Sequence, residues 1–169
     1  QGEPMRRVFK TLKSVLADYP DVELVYPVHL SPAVQKAAKD ILANTERIHL
    51  IEPLDVMDFH NLANKSYFIM SDSGGVQEEA PSLGKLVLVL RDTTERPEGV
   101  AAGTLRLVGT QEDSVKNAMI SLLDNKEEYD KMAQTQNPYG DGQASKRILE
   151  AISYYFNNGA RPDDFGTGE

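Results

Sequence analysis

Leu86-Val87-Leu88-Val89-Leu90 is an unbroken apolar run set between Gly84-Lys85 and Arg91-Asp92. A strand with one face in water alternates apolar and polar residues, and this run offers no polar side to either face. It fits a strand buried on both faces, which belongs in a parallel sheet covered by helices above and below. A parallel neighbour cannot be reached by a tight turn. It needs a crossover of a dozen or more residues, usually a helix.

The flanking segments supply such crossovers. Met5, Val8, Phe9, Leu12, Val15 and Leu16 recur at helical spacing, so residues 4–18 are expected to form an amphipathic helix with Pro4 in its first turn. Tyr19-Pro20-Asp21 breaks it, and Val22 to Val28 is expected to be a strand. Ser31-Pro32 opens a helix running to Ala43, with Val34, Ala37, Ala38, Ile41 and Leu42 facing inward. The pattern repeats with a strand at Ile48–Ile51 and a helix from Asp55, its cap, to Asn64, with Val56, Phe59, Leu62 and Ala63 apolar. Tyr67–Met70 reads as a strand, Gly75–Leu83 as a helix, Leu86–Leu90 and Leu105–Val108 as strands, and 111–124, 126–134 and 144–156 as helices. The expected fold is a doubly wound α/β domain over residues 1–156, followed by a flexible tail at 157–169.

Charge and composition narrow the partners. The chain has 18 basic and 26 acidic residues for a net charge of −8, which argues against a nucleic-acid partner. It has no Cys, so disulfides, thiolate metal sites and Cys nucleophiles are excluded. No apolar run approaches the ~20 residues of a membrane span, so no membrane partner is expected. The Gln1-Gly2-Glu3-Pro4 start carries neither an initiator Met nor a signal-peptide pattern, and the chain is expected to be a piece of a longer one.

In open α/β sheets, ligands bind beyond the carboxyl ends of the strands. Two segments lie there. Ser71-Asp72-Ser73-Gly74-Gly75 leaves a strand and opens a helix, with glycines that admit a ligand close to the backbone and with N–H groups suited to phosphate. Glu78 and Glu79 follow about one turn later, and a carboxylate there could accept hydrogen bonds from a ribose diol, although a Glu near a helix start is also favourable through the dipole alone. The polar loop Arg91 to Glu98 directly follows a strand expected to be buried. Arg96 in it suits a diphosphate, or else an ordinary ion pair with Glu95 or Glu98. Of the three histidines, His29 stands at a strand's carboxyl end, His49 reads as structural and His60 as exposed. No pair has metal-ligand spacing, and neither a metal nor a cofactor is expected.

Taken together, Val25-Tyr26-Pro27-Val28-His29-Leu30, the long stretch Ser71 to Lys85, Arg91 to Glu98 and Asn137-Pro138-Tyr139-Gly140-Asp141-Gly142 resemble the non-hydrolysing UDP-N-acetylglucosamine 2-epimerases of bacteria. The resemblance runs to about Phe156 and is confined to the carboxyl-terminal half of that family. It implies a Rossmann-like half of a glycosyltransferase-B-type fold, with the nucleotide sugar in the cleft between two halves. By the same resemblance Ser73, Gly74 and Gly75 would hold the diphosphate, Glu79 the ribose and Arg96 phosphate. Phe59 would lie near the uracil, a position that periodicity alone assigns to the core. His29 would touch a second, activating UDP-sugar. The implied reaction interconverts UDP-N-acetylglucosamine and UDP-N-acetylmannosamine by elimination and re-addition of UDP. The acid/base carboxylates, and a further catalytic His in a His-Arg-Arg-Glu-Asn motif that would precede Gln1, belong to parts absent here. No catalytic residue is therefore assigned, and the chain alone is expected to be inactive. The implied partners are a UDP-sugar, the amino-terminal half and, for the full-length enzyme, a second copy in a cytoplasmic homodimer.

One consequence concerns topology. The stretch before Gln1 would hold the first strand, which in the order 3-2-1-4-5-6 lies at the sheet's centre. Without it, Val22–Val28 and Tyr67–Met70 are expected to lack a shared neighbour. Competing readings are the donor-binding half of a glycosyltransferase, which the Arg91–Glu98 segment disfavours, and a non-enzymatic UDP-sugar-binding module. A receiver-like or phosphatase-like domain using Asp72 ranks last, for want of a second acidic cluster to hold magnesium.

Overall fold

The computed structural model describes residues 2–164. Helices and strands alternate through it. The elements are α1 (Glu3–Asp18), β1 (Leu24–Pro27), α2 (Pro32–Leu42), β2 (Ile48–Ile51), α3 (Val56–Lys65), β3 (Ile69–Ser71), α4 (Gly74–Glu79), a 3-10 turn (Ala80–Leu83), β4 (Val87–Val89), α5 (Pro97–Ala102), β5 (Leu105–Leu107), α6 (Glu112–Asp124), α7 (Lys126–Ala133) and α8 (Ala144–Tyr155). All strand pairings are parallel.

β4 behaves as its sequence demands. Leu86 and Leu88 turn into one core with α1, α2, α6 and α7, while Val87 and Val89 turn into a second core with Ala80 and Leu105. All four side chains are 0% exposed. The expected inner faces of α1 and α2 are also seen, with Val8, Phe9, Leu12, Val15, Leu16, Val34, Ala37, Ala38 and Leu42 buried. Arg47, with φ +64°, turns back on the end of α1, and its guanidinium donates to the carbonyls of Leu16, Tyr19 and Val22 at 2.6–2.9 Å. Those carbonyls lie at a helix end and its exit turn, where Leu16 O and Tyr19 O accept along the backbone from Tyr19 N at 3.4 Å and Val22 N at 3.2 Å and Arg47 adds further donors.

The sheet is split where the sequence analysis expected a missing neighbour. β1 pairs only with β2, and β3–β4–β5 form a separate sheet. Leu24 and Val28 donate to the carbonyls of Arg47 and Ile51, so alternate residues Val25 and Pro27 face away from β2. Ser71 accepts from Leu90 on the β4 side, which turns Met70 the other way. These backbone groups border the opening between the two sheets. Pro27 fits there, since it has no N–H to leave unpaired. Side chains still bridge the opening: Leu24 and Tyr26 of β1 and Phe68 and Met70 beside it pack against the same core cluster. The flanking strands are correspondingly only half-buried or exposed, unlike β4.

Some expectations are corrected. Ser31 stands at the N-cap of α2 but its side chain makes no cap hydrogen bond; its N–H donates instead to His29 Nδ1 at 3.0 Å. Asp55 does cap α3, accepting from Asp58 N at 2.9 Å. The apolar side expected for α3 is not a core face: Val56 and Met57 are exposed, and Ala63 alone is buried. Residues 97–102, read as loop or left unassigned, form α5, started by Pro97 and ended by Gly103 at φ +91°. α8 is amphipathic, but Ile148, Leu149, Ile152 and Tyr155 are exposed and none of its residues is buried. Residues 157–164 are exposed or half-buried and belong to no helix or strand, and the remainder of the expected tail, 165–169, lies outside the described residues.

The opening has a measurable signature. In hydrogen exchange the amides of Val25 and Met70 are expected to exchange orders of magnitude faster than that of Leu88, whose strand is bonded on both edges. Equal protection of the three would mean that β1 and β3 already share a partner.

Candidate functional site

The carboxyl ends of β3 and β4 carry the candidate site. After β3 the chain makes the Ser73 turn into α4, with Ser73 N donating to Ser71 Oγ at 3.1 Å. The N–H groups of Gly74 and Gly75 are the first of the helix and so have no intrahelical acceptor. Ser73 and Gly75 are exposed and Gly74 is half-buried. After β4 the Arg91–Arg96 loop swings over the same end. It brings the Arg96 guanidinium beside the turn: a methyl placed on Gly74 would stand 3.8 Å from Arg96 Nη2. A methyl on Gly75 would stand 3.8 Å from Glu79 Oε1 and 3.9 Å from Ser73 Oγ. Ser73, Gly74, Gly75, Glu79 and Arg96, singled out in the sequence, thus lie close to one another.

The ionic partners differ from those expected. Arg96 pairs through Nε with Glu78, on α4, and not with Glu95 or Glu98. Glu95 is taken by Arg91 at 2.8 Å, and its carboxyl is held below the usual range by a backbone hydrogen bond and by Arg91. Arg96 Nη2 hydrogen bonds to no described residue, so the guanidinium keeps a donor edge toward the turn. Glu79 Oε2 accepts from His60 Nε2 at 3.1 Å. His60 was read as merely exposed. Its place on α3, across from Glu79, is a tertiary fact with no trace in the local sequence.

Phe59 is half-buried and belongs to neither hydrophobic cluster, so its assignment to the core by periodicity is overturned. It lies next to His60, with ring centroids 6.1 Å apart, at the edge of the site. His29 is exposed on the loop after β1, and no hydrogen bond or ion pair joins it to the cluster among the described residues. His49 is on a solvent-facing position of β2, paired with Glu23 at 2.9 Å. Asp72 is near enough to Tyr26 for its charge to act there: burial pushes the Tyr26 phenol up, and the Asp72 charge adds to that.

The Asn137–Gly142 loop backs the cluster. Asn137 Nδ2 donates to Ser82 Oγ at 2.8 Å, and Tyr139 OH donates to Arg96 O at 3.4 Å. A cleft of about 290 Å³ lies between Glu78, Glu79 and Ser82 on one side and Asn137, Tyr139 and Gly140 on the other. Hydrogen bonds from Arg147, with help from Gln143 N, hold the Asp141 carboxyl far below the usual range and tie the loop to α8. Among the described residues no group of three or more His, Asp or Glu could hold a metal ion, and no helix is long and apolar enough to cross a membrane.

Comparison with known proteins gives this arrangement a context. The family model described as UDP-N-acetylglucosamine 2-epimerase matches residues 1–153. The Bacillus subtilis UDP-N-acetylglucosamine 2-epimerase is 55% identical over 168 residues, which are 99% of this chain and 44% of that protein. The S. aureus MnaA–UDP co-structure superposes with a TM-score of 0.92 at 54% identity, covering 98% of this chain and 46% of that one. The Neisseria meningitidis UDP-GlcNAc 2-epimerase bound to UDP-GlcNAc superposes with a TM-score of 0.86 at 48% identity, covering 90% and 41%. The chain therefore spans less than half the length of the relatives it matches, which fits the carboxyl-terminal, Rossmann-like half of a glycosyltransferase-B-type fold.

Two glycines should respond differently to a methyl group. At Gly99 a Cβ would collide with Tyr139 OH and stand 2.6 Å from Leu105 Cδ1, so Gly99→Ala is expected to cost about 1–3 kcal/mol in a denaturant titration. At Gly74 the nearest atom is at ordinary contact distance, so Gly74→Ala should change stability by less than about 1 kcal/mol while placing its methyl against Arg96.

Proposed function

The chain belongs to the UDP-N-acetylglucosamine 2-epimerase family, and on that footing we propose that it is the nucleotide-binding half of an enzyme interconverting UDP-N-acetylglucosamine and UDP-N-acetylmannosamine. The observation that carries the reading is the convergence of the Ser73–Gly75 turn, the Arg96 guanidinium and Glu79 at the carboxyl ends of β3 and β4.

Each part has a physical role in it. The N–H groups of Gly74 and Gly75 and the Ser73 hydroxyl donate to diphosphate oxygens, and Arg96 adds charge-assisted donors. Glu79 accepts from the ribose hydroxyls, exchanging its contact with His60 for them or sharing it. Phe59, at the rim, lies by the uracil. His29 belongs to the site of a second, activating UDP-sugar. In the reaction the C2 proton is removed and the C1–O bond to UDP breaks, leaving a glycal. UDP then adds back at C1 while C2 takes a proton on its opposite face. This half clamps the departing and returning UDP, an electrostatic task. Proton transfer at C2 needs a general acid/base, which we assign to the other half.

The split sheet, the bare apolar face of α8 and the exposed start of α3 support a protein that is completed by further chain. The full-length enzyme is proposed to be a cytoplasmic homodimer. Among the alternatives, the donor-binding half of a glycosyltransferase is set aside by the family match, and no observation favours a nucleophilic Asp72.

Calorimetric titration with UDP tests the clamp. Arg96→Ala is expected to weaken UDP binding about tenfold to a hundredfold, the loss of one or two charge-assisted hydrogen bonds. Unchanged affinity would remove Arg96 from the site. The chain by itself should not turn over UDP-N-acetylglucosamine, and turnover by the pure 169-residue protein would overturn the division of labour.

A further inference from the structure

The Ser73 turn follows β3 and the Arg96 loop follows β4, so neither local sequence sets the distance between them. A buried side chain spans that distance. Gln77 is 0% exposed. Its Nε2 donates to Ser73 O at 3.2 Å, and its Oε1 accepts from Thr94 Oγ1 at 2.6 Å. Thr94 Oγ1 in turn accepts from the Arg96 backbone N–H at 3.0 Å. The connection from the turn to the arginine is continuous.

Packing alone does not account for a glutamine here. A Met of similar length would fill the space without a primary amide to satisfy, and an unpaired buried amide costs about 1–3 kcal/mol. A buried polar network whose members are all satisfied specifies one geometry where an apolar contact tolerates several. We propose that Gln77 is a positioning residue that, through Thr94, sets the separation between the diphosphate-facing turn and the Arg96 guanidinium, and so sets the protein's preference for a diphosphate over a monophosphate. The proposal rests on the nucleotide reading above and adds to it the group that aligns the clamp. Gln77 itself touches no ligand. Its effect is conveyed by the backbone of Ser73 at one end and by the hydroxyl of Thr94 at the other.

The test uses the full-length enzyme and compares binding of UDP and UMP, alongside thermal midpoints. Thr94→Val keeps the shape of the side chain and removes the link. It is expected to weaken UDP binding about tenfold, the worth of one net hydrogen bond, and UMP binding by less than about threefold. Thr94→Ser restores the hydroxyl and should recover the preference. Gln77→Met should reproduce the Thr94→Val pattern, and the double variant should be no weaker than Gln77→Met alone. If Gln77→Met fails to fold, the Thr94 pair carries the test. Equal losses for UDP and UMP, or no loss with Thr94→Val, or failure of Thr94→Ser to recover the preference, would overturn the proposal. A wild-type enzyme that binds UDP no better than UMP would instead count against the diphosphate clamp itself.

Discussion

The half of this fold that carries the candidate site is referred to β4. Its alternate side chains enter two different cores, Leu86 and Leu88 on one face and Val87 and Val89 on the other, while its backbone is bonded to β3 on one edge and β5 on the other. With both edges and both faces occupied, β4 has no freedom to slip: moving its register by one residue would exchange the two sets of side chains between cores of different shape. The strand therefore places its two neighbours firmly. The loops leaving β3 and β4 become the two jaws of the candidate site because those strands are parallel and end at the same level.

The other half of the sheet lacks such an anchor. β1 and β2 are tied to β3–β5 through shared packing on α1, α2 and α6, not through backbone hydrogen bonds. Unpaired backbone groups are tolerable at a solvated edge and costly in a sealed interior. β1 and β3 have buried partners on one side and an opening on the other, and their partial exposure reflects that position. The exposed apolar residues of α8 and of the start of α3 are further surfaces that a soluble chain does not ordinarily leave bare in contiguous patches.

Polar contacts at the site divide by burial. The Arg96–Glu78, Arg91–Glu95 and His60–Glu79 pairs are partly exposed, where an ion pair is worth about 0–1 kcal/mol and can exchange partners with little loss. That is compatible with the ligand-facing role proposed for Arg96 and Glu79. The Gln77–Thr94 link is sheltered, and there a broken hydrogen bond leaves a stranded dipole. Rearrangement is thus cheap at the surface of the proposed clamp and costly in its frame.

The order of helices and strands was legible in the chain, because periodicity and the Gly and Pro punctuation are local properties. The α/β class followed from them, and so did the Ser73–Gly75 turn and the buried character of Leu86–Leu90. Even the split between β1 and β3 could be anticipated, since the strand order of such folds puts a neighbour between them. α5 escaped notice because Glu98-Gly99-Val100-Ala101-Ala102 carries too little apolar periodicity, and the one residue it buries is Gly99, packed close to Tyr139 and Leu105. The partners of Arg96 and Glu79, the place of Phe59 outside both cores and the burial of Gln77 could not be read from sequence at all. They depend on residues 17 to 19 positions away, or more, meeting through the sheet. Local sequence decides which conformation each segment prefers. Which charged and polar groups then face one another is decided only when parallel strands bring the ends of separate loops to the same edge.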